Sequence, residues 1–262
     1  MKHCVRFHCI AILLGILCLL CCACAKEQED TVLNVGMEQG ASSSAPSQEN
    51  TGQSGQTREQ SSTAASGVQV KVLQSVAYAF DGMLYGAVEY QNSGSENLIL
   101  GEATFTFSHP GGEATEQFLP VANEYDVVRP GETSYCTLFL PVEGITGGEA
   151  VSLTPSLTCQ PAQLEPFPLE AEHPYLVQNY PAFCTLSGSL KNPDQGSGAC
   201  ELNMIDAGFY DEEGNLLGVW YFSRNAVLDP GVSKPFVVHL KALPIPALAD
   251  HCKEIRLRAF GI

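Results

Sequence analysis

Leu84-Tyr85-Gly86-Ala87-Val88-Glu89-Tyr90 decides how the chain is to be read, because Leu84, Gly86, Val88 and Tyr90 alternate with Tyr85, Ala87 and Glu89. A period of two marks a strand whose successive side chains point to opposite faces. The same alternation stands before it at Val68, Val70 and Val72. It returns at Ala103–Phe107, Tyr135–Leu140, Leu186–Leu190, Phe236–Leu240 and Ile255–Ala259. Between these stretches lie Asn92-Ser93-Gly94, His109-Pro110-Gly111-Gly112, Arg129-Pro130-Gly131, Asn192-Pro193-Asp194 and Asp229-Pro230-Gly231. Their Pro, Gly and Asn residues supply the dihedrals of turns. No segment sustains a period of 3.6, so the reading is an all-β protein.

Working outward, the strand ending at Asn92 is followed 38 residues later by Pro130-Gly131, and the strand ending at Asn192 is followed at the same interval by Pro230-Gly231. One unit of about a hundred residues therefore occurs twice. That is the size of an immunoglobulin-like sandwich, in which two sheets each bury one face. The sequence predicts two tandem Ig-like β-sandwich domains, 68–160 and 161–262. Their seam is placed within 160–174, where Pro161, Pro166, Pro168 and Pro174 interrupt a regular ladder. Tyr90 and Phe107 are expected in the first core, Phe209 and Trp220 in the second.

The second unit resembles the FxLYD-type domains of bacterial envelope proteins. The matching residues are Gly188–Asn192, then Gly208-Phe209-Tyr210-Asp211-Glu212-Glu213-Gly214-Asn215-Leu216-Leu217-Gly218, then Leu228-Asp229-Pro230-Gly231 with Phe236. The likeness covers some eighty residues and rests on a Tyr-Asp-x-x-Gly hairpin followed in order by Pro-Gly. Ala207 and Phe209 replace the leading Phe and Leu of that pattern, and the first unit has Ser108-His109 where Tyr-Asp would stand. The resemblance implies an extracellular Ig-like sandwich and carries no catalytic residues.

The N-terminus gives the location. Lys2 and Arg6 form a basic start, Ile10–Leu20 is an apolar run too short to span a bilayer comfortably, and Leu20-Cys21-Cys22-Ala23-Cys24 closes it. This resembles the lipobox of bacterial lipoproteins, with cleavage behind Ala23 and diacylglyceryl on Cys24, although Cys21 stands where an aliphatic residue is usual. Cys22 and an uncleaved anchor over 5–25 are the alternatives. The reading is a signal peptide at 1–23 and lipid-mediated attachment through Cys24 to the extracytoplasmic face of the membrane. Residues 24–67 hold Ser, Gln, Glu, Gly, Thr and Ala and almost no large apolar side chain after Met37. A segment so composed is expected to stay disordered, a tether with a root-mean-square span of roughly 30–40 Å. Val32-Leu33-Asn34-Val35 is the one strand-like stretch in it and is assigned to the tether.

The net charge is −16, and cleavage before Cys24 takes away Lys2 and Arg6, leaving −18. Such a chain repels nucleic acid, whose backbone needs clustered cations. Arg256 and Arg258 are the densest basic pair, read as the solvated face of a last strand. No Gly-x-Ser-x-Gly, Ser-x-x-Lys or paired His-Glu motif is present. His109, His173, His239 and His251 lack metal-pair spacing, with His239 read as a core-edge residue. Asp211-Glu212-Glu213-Gly214-Asn215 fails the EF-hand pattern and reads as a solvated turn. The sequence thus proposes no catalytic residue, metal or cofactor. Cys136, Cys159, Cys184, Cys200 and Cys252 remain in the exported part, and export permits one or two disulfides of unreadable connectivity. The expectation is a non-enzymatic binding or scaffolding module for an envelope protein, peptide or wall polymer. Its first candidate contacts are the loops at Gly111, Gly112 and Glu113 and at Asp211, Glu212, Glu213 and Asn215. The alternative is a cell-wall glycan or peptide hydrolase with a site between the domains.

Overall fold

A computed structural model describes residues 32–33, 57–58, 61–62, 68–80, 82–109, 114–120, 123–148, 150–179, 183–193, 198–241, 245 and 248–262. Cys24, Gly111, Gly112 and Glu113 lie outside the described residues, as does nearly all of 24–67. The described chain is almost entirely strand. Three two-residue strands, β1 (Val32–Leu33), β2 (Thr57–Arg58) and β3 (Ser61–Ser62), precede two sets of six. The first set is β4 (Val70–Phe80), β5 (Met83–Asn92), β6 (Leu98–Ser108), β7 (Thr115–Pro120), β8 (Thr133–Pro141) and β9 (Ser152–Pro161). The second is β10 (Pro168–Asn179), β11 (Phe183–Lys191), β12 (Cys200–Tyr210), β13 (Leu216–Leu228), β14 (Ser233–Leu240) and β15 (Glu254–Gly261). A single helical turn, α1 (Leu248–His251), separates the last two strands.

The two sets pair alike. In the first half β4-β5-β8 form one antiparallel sheet and β7-β6-β9 another. In the second half β10-β11-β14 and β13-β12-β15 repeat the order, and β10 joins the two by pairing Pro168 and Leu169 with β15. The 38-residue interval has a visible cause in two buried asparagines. Asn92 Nδ2 donates to the carbonyls of Glu96 and Val128, at 2.8 Å each. Asn192 Nδ2 donates to those of Gly198 and Leu228, at 2.9 and 3.0 Å. Each asparagine carbonyl also accepts the amide of the turn glycine, Gly131 or Gly231, at 2.8 Å. Those glycines have φ near +80°, the left-handed region open to residues without Cβ.

Each half has its own core. Leu84, Val88, Tyr90, Leu98, Ala103, Phe105, Phe107, Leu153 and Leu157 fill the first, and Leu186, Leu190, Ile205, Phe209, Trp220, Phe222, Phe236 and Val238 fill the second. The four aromatic residues expected in the cores are there: Tyr90, Phe107 and Phe209 are fully buried, and Trp220 is buried nearly as well. Truncation of such a side chain to Ala costs about 3–5 kcal/mol.

Several local readings change. Pro168 and Pro174 fall inside β10, which runs through the expected seam. Pro168 opens the strand, and Pro174 sits in a bulge where the register shifts between Glu172 and Tyr175. In those places the missing N–H interrupts no ladder. His173, beside that Pro, has φ 54. Val32–Leu33 pairs with Ser223 and Arg224 at the edge of β13, and β2 and β3 pair with the edge of β4. His239 is exposed, its Nδ1 2.9 Å from Thr185 Oγ1.

β5 departs furthest from the simple alternation. Its second face, Tyr85, Ala87 and Glu89, is buried as completely as its first. A third apolar cluster explains this: Val76, Tyr85, Ala87 and Tyr135 of the β4-β5-β8 sheet pack against Tyr210, Leu216 and Val219 of the second half. The outer face of one sheet is thus covered by the outer face of another.

Candidate functional site

Two polar systems lie within this contact. In the first, the Tyr85 hydroxyl accepts the Val219 amide at 2.7 Å and donates to the Val219 carbonyl at 2.9 Å. Tyr210 donates its hydroxyl proton to Glu89 Oε1 at 2.7 Å, so Tyr135, 2.9 Å away, donates to Tyr210. The Arg256 guanidinium stacks 3.9 Å above the Tyr210 ring and places Nη1 3.5 Å from Glu89. Burial pushes the Glu89 carboxyl above its ordinary range, opposed by the Tyr210 hydrogen bond and Arg256. Tyr135 fits because residue 208 is glycine: a Cβ there would stand 2.7 Å from the Tyr135 hydroxyl.

In the second system Arg258, 8% exposed, reaches from β15 into the loop between β7 and β8. Its guanidinium meets Asp126 at 2.5 Å, Glu132 at 2.9 Å, Asp206 at 3.3 Å and the Val127 carbonyl at 2.9 Å. Burial works against the Arg258 charge, and Asp126, Asp206 and Glu132 more than offset it. Asp206 is pushed up to about 7, first by burial and then by the neighbouring Asp126 charge, with Arg258 opposing. The expectation that Arg256 and Arg258 form a solvated face is therefore corrected for Arg258, which is buried; Arg256 remains 43% exposed while stacking on the Tyr210 ring. Outward alternation was read as facing water where it faces another sheet. Glu89 and Asp206 have the raised pKa often found at catalytic sites. Both lie between sheets and are bonded to arginines, so their shifts follow from burial.

The grip of Arg258 has a local consequence. Asp126 and Val127 end a short loop in which Asn123 Oδ1 accepts the Tyr125 amide and the Asn123 carbonyl accepts the Asp126 amide, both at 3.1 Å. Val128 exchanges backbone hydrogen bonds with Leu98 at 2.8 and 3.0 Å. The loop is thus anchored on the C-terminal side of Tyr125, through Asp126, Val127 and Val128, and braced internally by Asn123; Tyr125 itself is 41% exposed. Beside it opens a depression of about 560 Å³ lined by Ile99, Asn123, Glu124, Tyr125, Gln160, Pro161 and Gln163. Ile99 and Gln160 are cross-strand partners of β6 and β9, Pro161 ends β9, and Gln163 lies in the connection to the second half. The volume falls in the range of small-ligand sites.

The sequence did not single out these residues. The available signal was an aromatic residue between turn formers, Asn123-Glu124-Tyr125-Asp126, together with amides at the seam. Of the loops it did single out, Asp211–Asn215 joins β12 to β13. Asp211 Oδ1 accepts the Asn215 amide at 2.7 Å, and Oδ2 accepts its Nδ2 at 2.9 Å. Gln74 of the first half donates to the Gly214 carbonyl and accepts from the Leu216 amide. The turn thus leans on the first half, with Glu212 and Glu213 exposed. Its carboxylate oxygens on Asp211 are taken within the turn, and no group of three or more metal-ligating side chains gathers among the described residues. Cys136, Cys159, Cys184, Cys200 and Cys252 are free thiols, and burial raises all of their pKa values. These are thiols of low reactivity.

No family model and no curated protein matches the chain. Among solved structures, one of oxalate decarboxylase is similar over 86% of each chain at 8% identity, with a TM-score of 0.12. At that score it bears on neither fold nor activity.

Proposed function

We propose that the protein is a lipid-anchored, extracytoplasmic lipoprotein of a bacterial envelope, in which two Ig-like sandwiches on a flexible tether act as a non-enzymatic binding module. The observation that carries this reading is the fixed Tyr125 loop. Arg258 of the second half holds Asp126 and Val127 of the first, so the open depression is preorganised and loses little entropy on binding. Two sheets packed outer face to outer face keep the halves in one orientation, as a recognition platform requires. The lipobox-like end at Ala23-Cys24 and the polar stretch to residue 67 supply an anchor and a spacer. Labelled palmitate and cell fractionation test the anchor: Cys24→Ala should take up no label and leave the membrane fraction. A variant that is still labelled and membrane-bound refutes it. Turnover of a wall glycan or peptide by the purified protein would replace the binding reading with the hydrolase alternative.

A further inference from the structure

The lining of the Tyr125 depression has a distinct chemistry. Asn123, Gln160 and Gln163 bring three carboxamides, each with two donor hydrogens, and the two glutamines add acceptor oxygens beside an Asn123 oxygen that already accepts the Tyr125 amide. Tyr125, Ile99 and Pro161 bring apolar surface, and Glu124 is the one charged group. There is no cation among the described lining residues, and the whole chain is anionic, so a phosphate, sulfate or carboxylate ligand would meet repulsion with no counter-charge from them. A wholly apolar ligand would leave the carboxamides without partners. What fits is a ligand with closely spaced groups that both donate and accept, arranged around an apolar face.

We propose that the depression binds a neutral sugar unit of an oligosaccharide, an inference that rests on the binding-module reading. The C–H face of a pyranose ring lies against Tyr125, with Ile99 and Pro161 completing the apolar contact. The hydroxyls exchange hydrogen bonds with Gln160, Gln163, Asn123 and the Glu124 carboxylate. Tyrosine suits this role because its ring offers area at little loss of side-chain freedom and its hydroxyl stays wet. Arg258 is a positioning residue here: it holds the loop that carries Tyr125 and touches no ligand.

The test is isothermal titration calorimetry of the full chain in a sugar-free detergent, with chitotriose, cellotriose and maltotriose as probes and a neutral pentapeptide as control. One of the trisaccharides should bind. Tyr125→Ala should weaken it about tenfold or more, and Gln163→Ala by about threefold or more. Tyr175→Ala, an exposed tyrosine on the sheet β10-β11-β14, should leave the affinity unchanged and exclude generic stacking. All three variants change exposed side chains, and circular dichroism confirms their fold. No heat from any trisaccharide at about 10 mM, or binding indifferent to Tyr125→Ala, overturns the proposal. Pentapeptide binding that depends on Tyr125 overturns the sugar assignment and leaves the binding module standing. Cleavage of a bound probe overturns the module reading itself.

Discussion

The outer face of β4-β5-β8 and its counterpart in the second half, β10-β11-β14, are built on the same strands and end in different places. Rows across the first face read Tyr78-Tyr85-Phe139, Val76-Ala87-Thr137 and Gln74-Glu89-Tyr135. Rows across the second read Val177-Thr185-His239, Tyr175-Ser187-Val237 and Glu172-Ser189-Pro235. The first is sealed against the second half. The second leaves Tyr175, Val177 and Val237 exposed at 66%, 39% and 54%. The receiving faces differ in the same way. Where β12 and β15 carry the cross-strand pairs Asp206-Arg258, Gly208-Arg256 and Tyr210-Glu254, β6 and β9 carry Thr104-Ser156, Thr106-Thr154 and Ser108-Ser152. A shared backbone thus gives both halves the same sheets, and a handful of outward side chains decides which two faces meet. The contact joins unlike faces, and the first half's receiving face has hydroxyls in place of the arginines, the tyrosine and the glycine. Further copies therefore have no equivalent surface on which to extend it.

Matched substitutions at equivalent positions sharpen this contrast. The largest effect is expected at Arg258→Met, which removes the shared cation of Asp126, Glu132 and Asp206, the first and last of them largely buried, and should cost about 3–5 kcal/mol in urea unfolding. Ser156→Met, its counterpart on the exposed face, should stay within about 0.5 kcal/mol. Equal effects would mean that the cluster does not set the contact. Next comes Gly208→Val, which drives side-chain atoms into the Tyr135 hydroxyl and should cost about 1–3 kcal/mol, while Thr106→Val changes little.

Asp206 gives a contrast in pH. Its pKa in the folded state, about 7, lies above that of an unfolded aspartate, so its contribution to stability is full at low pH and is lost as pH rises through 7. Asp206→Asn abolishes that loss. Unfolding curves should show the variant gaining on the parent by on the order of 2–3 kcal/mol between about pH 5 and 8. A difference that does not vary with pH would show that Asp206 does not titrate in this window. The smallest effect belongs to Val237→Ser on the exposed face, expected within about 0.5 kcal/mol. A larger loss would mean that this face is covered by something in solution.

The strands were legible wherever one face met a core and the other did not, as at Ala103–Phe107 and Phe236–Leu240. The 38-residue interval was legible because Asn92 and Asn192 each span one turn and one strand end, and chain distance fixes that geometry. The depression beside Tyr125 was not legible. Tyr125 gains its fixed position from Arg258, 133 residues later in the chain, and a local pattern carries no record of so distant a partner. Gln160 and Gln163 read only as polar residues near a seam.

Alternation of side chains by itself determined that the protein is all-β and that one strand unit occurs twice, because a period of two and a turn signal are properties of neighbouring residues. Only the tertiary structure decided that Glu89, Asp206, Tyr210 and Arg258 face each other and not water. Outward side chains look alike in sequence whether solvent or another sheet lies beyond them. The choice rests on complementarity between surfaces more than a hundred residues apart, which no local spacing encodes.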